Sequence, residues 1–370
     1  MLTSKERILN TIYRRSTDHV PVSLYELSGS GPDSWQEKEP SYRPVMAAVH
    51  RNCDYLYHLP SPVSYPVLAE QTESRSWRDG DSQYIRQILH TPKGDLTQQL
   101  RIMDGVHTTW TTEHYLKSTD DIDKYLSLDF SRTAYDETCI SAAKQWIGDR
   151  GLVCINEADP VGWAASLFDM SEYLVLCLTE PAKMKYFHDA VFDIQMEKLQ
   201  MTLHEDCRDI MFRLCGPEYV TPPYLPESLF HDLVTRYVAA MSSAMKKAGA
   251  IPRIHSHGRV KNLLWEMAEY TDVLVIDPLE PPPDGDIDLR QVKSLYGGRF
   301  TLCGNLEVRE FEFSTAERID EAVKKIMEEA KDGGGFILMP TATPCCVPLT
   351  PKAEENLLQF VESGLKYGQY

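Results

Sequence analysis

The sequence predicts a single (β/α)8 barrel over residues 1–370, with a small antiparallel β insertion near residues 72–115. Three observations carry that expectation. From residue 118 onward, helical patterns alternate with short apolar runs (GLVCINE, DIMFRLCG, IPRIHSHG, DVLVIDPLE, RFTLCGN and GGFILMP), the rhythm of a parallel sheet. Adding HVPVSLYE near the start and the weaker CDYLYHL brings the strand count to about eight. No GxGxxG or Walker loop follows any of these runs, which disfavours an open nucleotide-binding sheet.

The elements follow in chain order. TSKERILNTIYRR reads as a helix with Thr3 or Ser4 as N-cap and Glu6 close behind. HVPVSLYE reads as a short buried strand ending at Glu26. Residues 27–45 are rich in Gly, Ser and Pro and too long for a simple connection, so they are expected to form a loop over a pocket. Residues 72–115 mix β-formers with Asp-Gly and Lys-Gly turn signals, predicting two or three antiparallel hairpin strands. Helices are expected over 118–127, 134–148, 161–178, 180–204, 226–248, 259–269, 286–296, 314–331 and 351–367. In LEPPPDGD, Asp284 and Asp286 are placed to cap the helix that follows.

Composition narrows the function. The balance of 42% hydrophobic and 25% charged residues is that of a globular protein. A net charge of -17 argues against a nucleic-acid partner, which calls for a basic face. No apolar run is long enough to span a bilayer, which takes about 20 residues. The charged opening has no apolar signal core, so the expected compartment is the cytoplasm. Nine cysteines, an odd number without a CxxC pair, suggest reduced thiols rather than a disulfide framework. Cys215 and Cys303 sit in apolar strand contexts and read as core residues.

In such a barrel, active sites lie at the C-terminal ends of the strands. That rule selects Glu26, Glu157 with Asn156 and Asp159, Arg213 and Glu218, His255 and His257, Asp277 and Glu280, Asn305, and Cys345 with Cys346. A carboxylate ending an apolar strand is costly to bury unless it is paired or used. Glu26, Glu157 and Glu218 are therefore the candidates for orienting substrate or handling a proton. Arg213, Tyr219, Asp277 and Asn305 are the candidates for binding a small-molecule substrate. In RIHSHG, His255 and His257 stand two residues apart, so on a strand both face the same side. Two neutral imidazoles can hold one Zn²⁺ at about 2.0–2.1 Å, and Cys345 or Cys346 is the best candidate for the third ligand. The competing reading has the histidines and carboxylates serve as acid and base, with no metal and with Arg213 holding a substrate carboxylate.

Several stretches are similar to the uroporphyrinogen decarboxylase superfamily: TSKERILNTIYRRSTDHVPV, HSHG with its following helix, DPLEPPPDGDIDLRQVKSLYGGRFTLCGN, and GGGFILMPTATPCCVPLTPKAEENLLQFVESG. The resemblance implies a (β/α)8 barrel. True decarboxylases of the superfamily carry an Arg-Gln-Ala-Gly-Arg segment after the first strand, which binds substrate carboxylates. This chain has LSGSGPDS at 27–34, without an arginine. The chain looks more like the zinc-dependent methyltransferase branch, whose motif is His-x-Cys-Gly plus a late cysteine. Here the motif reads His255-Ser256-His257-Gly258, and the late cysteine maps to Cys345 or Cys346. The resemblance thus implies bound zinc on His255, His257 and one of those cysteines. It also implies a corrinoid supplied by a partner protein docked over the barrel mouth. A His2Cys set leaves zinc a stronger Lewis acid than one with more thiolates, which suits an ether oxygen and leans towards O-demethylation of a methoxylated aromatic. A decarboxylase or lyase acting on a small carboxylic acid is the alternative, and a ligand-binding barrel without turnover is a third reading. A homodimer is the default assembly for such a chain.

Overall fold

The computed structural model describes residues 2–370. The first helix runs Ser4–Ile12 and carries the expected capping box: the Thr3 hydroxyl accepts from the Glu6 amide and the Glu6 carboxylate accepts from the Thr3 amide. Its apolar face, Ile8 and Ile12, plugs the bottom of a curled parallel sheet.

The strands in chain order are β1 (Tyr55–Pro60), β2 (Val63–Ser64), β3 (Thr72–Asp79), β4 (Ser82–Leu89), β5 (Leu96–Met103), β6 (Thr109–Glu113), β7 (Ala134–Tyr135), β8 (Gly151–Ala158), β9 (Ile210–Cys215), β10 (Ile251–His255), β11 (Val275–Asp277), β12 (Thr301–Leu306) and β13 (Phe336–Pro340). Seven of them form one sheet in the order β1-β8-β9-β10-β11-β12-β13, every pair parallel. The eighth barrel position is filled by residues 20–29. The Leu338 amide donates to Pro21 O and Ser23 N to Leu338 O, while Asp54 N donates to Val22 O and His58 N to Gly29 O. This segment touches β13 on one side and β1 on the other, which joins the two ends of the sheet. It was expected to be a regular strand and is not one. Pro21 has no amide to give a ladder, and Tyr25 takes a positive φ of 54° that turns the chain.

Alternation along the strands separates two apolar layers. Leu152, Cys154, Met211, Cys303 and Met339 face the barrel interior. Their neighbours Val153, Ile155, Phe212, Leu302 and Leu338 face the surrounding helices. Cys215 also points inward, while Cys303 is a buried interior residue as expected.

The insertion is larger than predicted: β3-β4-β5-β6 make a four-stranded antiparallel sheet. Residues 27–45 are less of a loop than predicted, since Trp35–Lys38 and Arg43–Asn52 are helical. Their Gly29–Ser34 stretch does line a cavity. The helix expected over 161–178 is broken into Pro160–Ser166 and Met170–Thr179, the second capped by Asp169. Capping of the helix Leu289–Tyr296 falls to Asp288. Asp286 instead accepts from Lys261 N, and Asp284 pairs with Arg309. Among the described residues, no helix is long and apolar enough to cross a membrane.

Candidate active site

The mouth of the barrel gathers side chains from the ends of β1, β8, β9, β10 and β11 and from the turns that follow them. Register alone brings two of them together: His255 stands opposite Asp277 on the neighbouring strand. His255 Nδ1 lies 2.7 Å from Asp277 Oδ2, and Arg253 Nε donates to Oδ1 of the same carboxylate. His257 lies just beyond the strand, where Gly258 takes a φ of 87°. His257 Nδ1 is 2.7 Å from Glu280 Oε1, and Gly258 N donates to Glu280 Oε2 at 2.7 Å. The two rings meet edge to face with centroids 4.7 Å apart.

A carboxylate can only accept, so each Nδ1 carries the proton and each Nε2 is the working atom. Neither Nε2 has a protein hydrogen-bond partner among the described residues. The two environments then push the rings apart. Burial drives His255 down to about 4, against the pull of Asp277, so its Nε2 offers a lone pair. Burial also opposes charge on His257, but the hydrogen bond and the charge of Glu280 outweigh it and raise its pKa. Burial would raise both carboxylates; Arg253 and His255 hold Asp277 well below its ordinary range, and His257 lowers Glu280. Environments that split a pair of titratable groups in this way mark an acid and a base.

The remaining candidates divide. Arg213 points inward beside this pair, next to the Tyr25 hydroxyl and 3.4 Å from Asn156 Oδ1. Glu218 follows β9, accepts from Gly216 N, and is pushed up by burial. Asn305 faces inward, but its amide donates to Leu279 O and so ties down the turn that carries Glu280. Tyr219 is half-buried, packed against the core beyond β9. Glu26 is exposed at the cavity rim, its amide held by Thr343 Oγ1.

Glu157 does not join the site. Its parity turns it outward, where it pairs with Lys198 at 3.0 Å. The cysteines stand apart from the histidines. Cys345 is exposed, and its carbonyl accepts from His107 N. Cys346 Sγ contacts Glu312 Oε1 at 3.5 Å, while its carbonyl accepts from the Tyr42 hydroxyl. Among the described residues, no three His, Cys, Asp or Glu side chains gather closely enough to hold a metal ion. The two imidazoles, each backed by a carboxylate, suit two ligand positions, but the expected His2Cys donor set is not assembled.

Sequence reasoning missed Tyr25 and His58. Tyr25 stacks against His255 with centroids 6.1 Å apart and lies edge-on to His58 at 5.8 Å. The signal for His58 was present: it shares parity with the interior residue Leu56 and ends an apolar run. Tyr25 had none, because its inward direction comes from the positive-φ turn.

A family model described as uroporphyrinogen decarboxylase (URO-D) matches residues 89–366. Among solved structures, a methyltransferase from Methanosarcina mazei aligns over 99% of this chain and 99% of its own, with a TM-score of 0.60 at 16% identity. A GH5-4 broad-specificity endoglucanase from Clostridium acetobutylicum aligns over 98% of this chain and 100% of its own, with a TM-score of 0.45 at 10% identity. A search of curated protein sequences returns no match.

Proposed function

The chain belongs to the uroporphyrinogen decarboxylase (URO-D) family, and from that premise we propose that it is a methyltransferase, taking the methyl group of a small methoxylated aromatic substrate and passing it to a corrinoid protein. The observation that carries this reading is the pair of imidazoles at the barrel mouth, His255 and His257, both held at Nδ1 and both free at Nε2. The shared fold of the Methanosarcina mazei methyltransferase supports it.

A corrinoid on a partner protein at the barrel mouth would supply the nucleophile that accepts the methyl group. The bond that breaks is the methyl–oxygen bond, and the oxygen keeps its electron pair. His257, its pKa raised by the hydrogen bond and charge of Glu280, is the group placed to donate an Nε2 proton to that oxygen as the charge develops. His255, kept neutral by burial, accepts a hydrogen bond from a substrate hydroxyl and fixes the ring. Arg253 and Asp277 hold His255 in its tautomer. Glu218, its carboxyl pushed up by burial, lies near His257 and completes the acidic side of this pair. No step runs through zinc, because the donor set for it does not gather.

The test is methyl transfer from methoxybenzenes to chemically reduced cobalamin, followed by the absorbance change of the corrinoid and by chromatography of the phenol. His257→Ala is expected to slow transfer by about 10²–10⁴-fold, the usual worth of a general acid. A second reading, decarboxylation of a small acid, is favoured by one observation: Arg213 has no carboxylate partner. Release of CO₂ from a carboxylic acid substrate, without methyl transfer, would replace the first reading by the second.

A further inference from the structure

Arg213 and Arg253 stand opposite each other on adjacent strands and both point into the barrel. One fully buried carboxylate, Asp277 on the next strand beyond Arg253, has both of its oxygens occupied by Arg253 and His255. Arg213 has no ion pair among the described residues. Its Nη2 meets the Tyr25 hydroxyl, its Nη1 has one long contact at 3.4 Å to Asn156 Oδ1, and its Nε is buried without a partner. The Tyr25 ring lies 5.2 Å from the guanidinium carbon, which compensates the charge only in part. The residue is 6% exposed. Two guanidinium groups, one carboxylate and a neutral His255 leave the interior with an excess positive charge, inside a chain of net charge -17. A buried cation without an anion is costly, and such positions persist where a ligand supplies the missing charge.

A cavity of about 660 Å³ reaches Asn156, whose Oδ1 lies 3.4 Å from the Arg213 guanidinium. Asn156 and His58 form its inner wall, and Tyr57 and Trp146 supply flat aromatic surface. The His58 side chain has no hydrogen-bond partner among the described residues, and burial keeps it neutral. Gly29 makes the approach feasible: a Cβ there would stand 3.1 Å from the His58 ring. Glu26 and Asp33 occupy the rim, a placement that repels a second negative charge on a ligand.

We propose that Arg213, with Asn156 and His58, seats the carboxylate of a flat monocarboxylic acid whose body lies in the cavity against Tyr57 and Trp146. The inference names the substrate class of the methyl-transfer reading and rests on that reading for the reaction alone. Through Tyr25, which touches His58 and His255, the seat adjoins the two working imidazoles. The substrate is thus an aromatic monoacid, held by its carboxylate.

The test is binding without turnover: tryptophan fluorescence titration of the full chain with benzoate and with its neutral twin benzamide, no corrinoid present. Benzoate is expected to saturate and to bind at least about tenfold tighter than benzamide. Arg213→Met is expected to remove that preference while leaving the thermal midpoint unchanged or higher, since it deletes a buried unpaired charge. Equal affinities for the two probes, no saturation by benzoate, or an unchanged preference in Arg213→Met would overturn the proposal. Should Arg213→Met fail to fold, the wild-type comparison and Asn156→Ala, expected to weaken benzoate selectively, still decide it. A benzoate seat without methyl transfer to cobalamin would leave this inference standing and remove the reaction; transfer without benzoate preference would do the reverse.

Discussion

Two histidines two residues apart have pKa values pushed in opposite directions because their neighbours differ, and the same logic applies to a buried carboxyl nearby. Glu307 follows β12, and its Oε1 is buried without a partner. Burial, with Glu280 and Asp284 adding repulsion, raises its pKa to about 7. A folded-state value above the unfolded one means that ionisation opposes folding. The stability associated with Glu307 is complete below its ordinary value of 4.5 and is lost as the pH rises through about 7. Glu307→Gln is therefore expected to leave the thermal midpoint unchanged near pH 5 and to raise it relative to wild type near pH 8.5, read by calorimetry at both pH values. Residue identities were largely legible at this scale. The strand-end rule found His255, His257, Asp277 and Glu280. It could not tell that Glu157 faces outward to Lys198, because the exact end of a strand decides parity and the sequence leaves that end uncertain by a residue or two. It also mapped Cys345 and Cys346 to the histidines. The loop that carries them is pinned elsewhere, by an antiparallel bridge from Cys346 to Val106 in the connection between β5 and β6, a contact between segments far apart in the chain.

Among the elements, the turn after β9 brings a strand end against a helix start. Gly216 adopts a φ of 144°, and a Cβ there would stand 2.0 Å from Asp159 Oδ1 and 2.5 Å from Gly162 N. Asp159 caps the helix Pro160–Ser166 by accepting from Gly162 N, so the glycine lets strand end and helix start share one space. Gly216→Ala is expected to destabilise the chain by about 2–4 kcal/mol in urea denaturation; a change under about 0.5 kcal/mol would show that the turn can relax. The helix Pro351–Tyr367 was read from sequence to the residue, and the capped start of Ser4–Ile12 was found although its end was placed three residues too late. The eighth barrel position was read as a strand because HVPVSLYE is apolar and bounded by turns. Its hydrogen bonds to both neighbours place it where a strand belongs, yet Pro21 and the turn at Tyr25 deny it a ladder.

At the scale of the whole molecule, charge is distributed unevenly: a chain of net charge -17 carries two inward arginines in its barrel and one imidazole whose pKa is raised. The barrel itself followed from strand and helix counts, since alternating elements of these lengths have few other ways to bury both faces of a parallel sheet. The account turns on the split between the two imidazoles. ¹⁵N NMR of the chain labelled in histidine reads it directly, because protonated and unprotonated ring nitrogens resonate far apart. At pH 6.5 the account predicts His255 as a neutral ring protonated at Nδ1 and His257 as a ring protonated at both nitrogens, with Glu280→Gln returning His257 to a neutral ring. A neutral His257 at that pH, or a His255 protonated at Nε2, would contradict it.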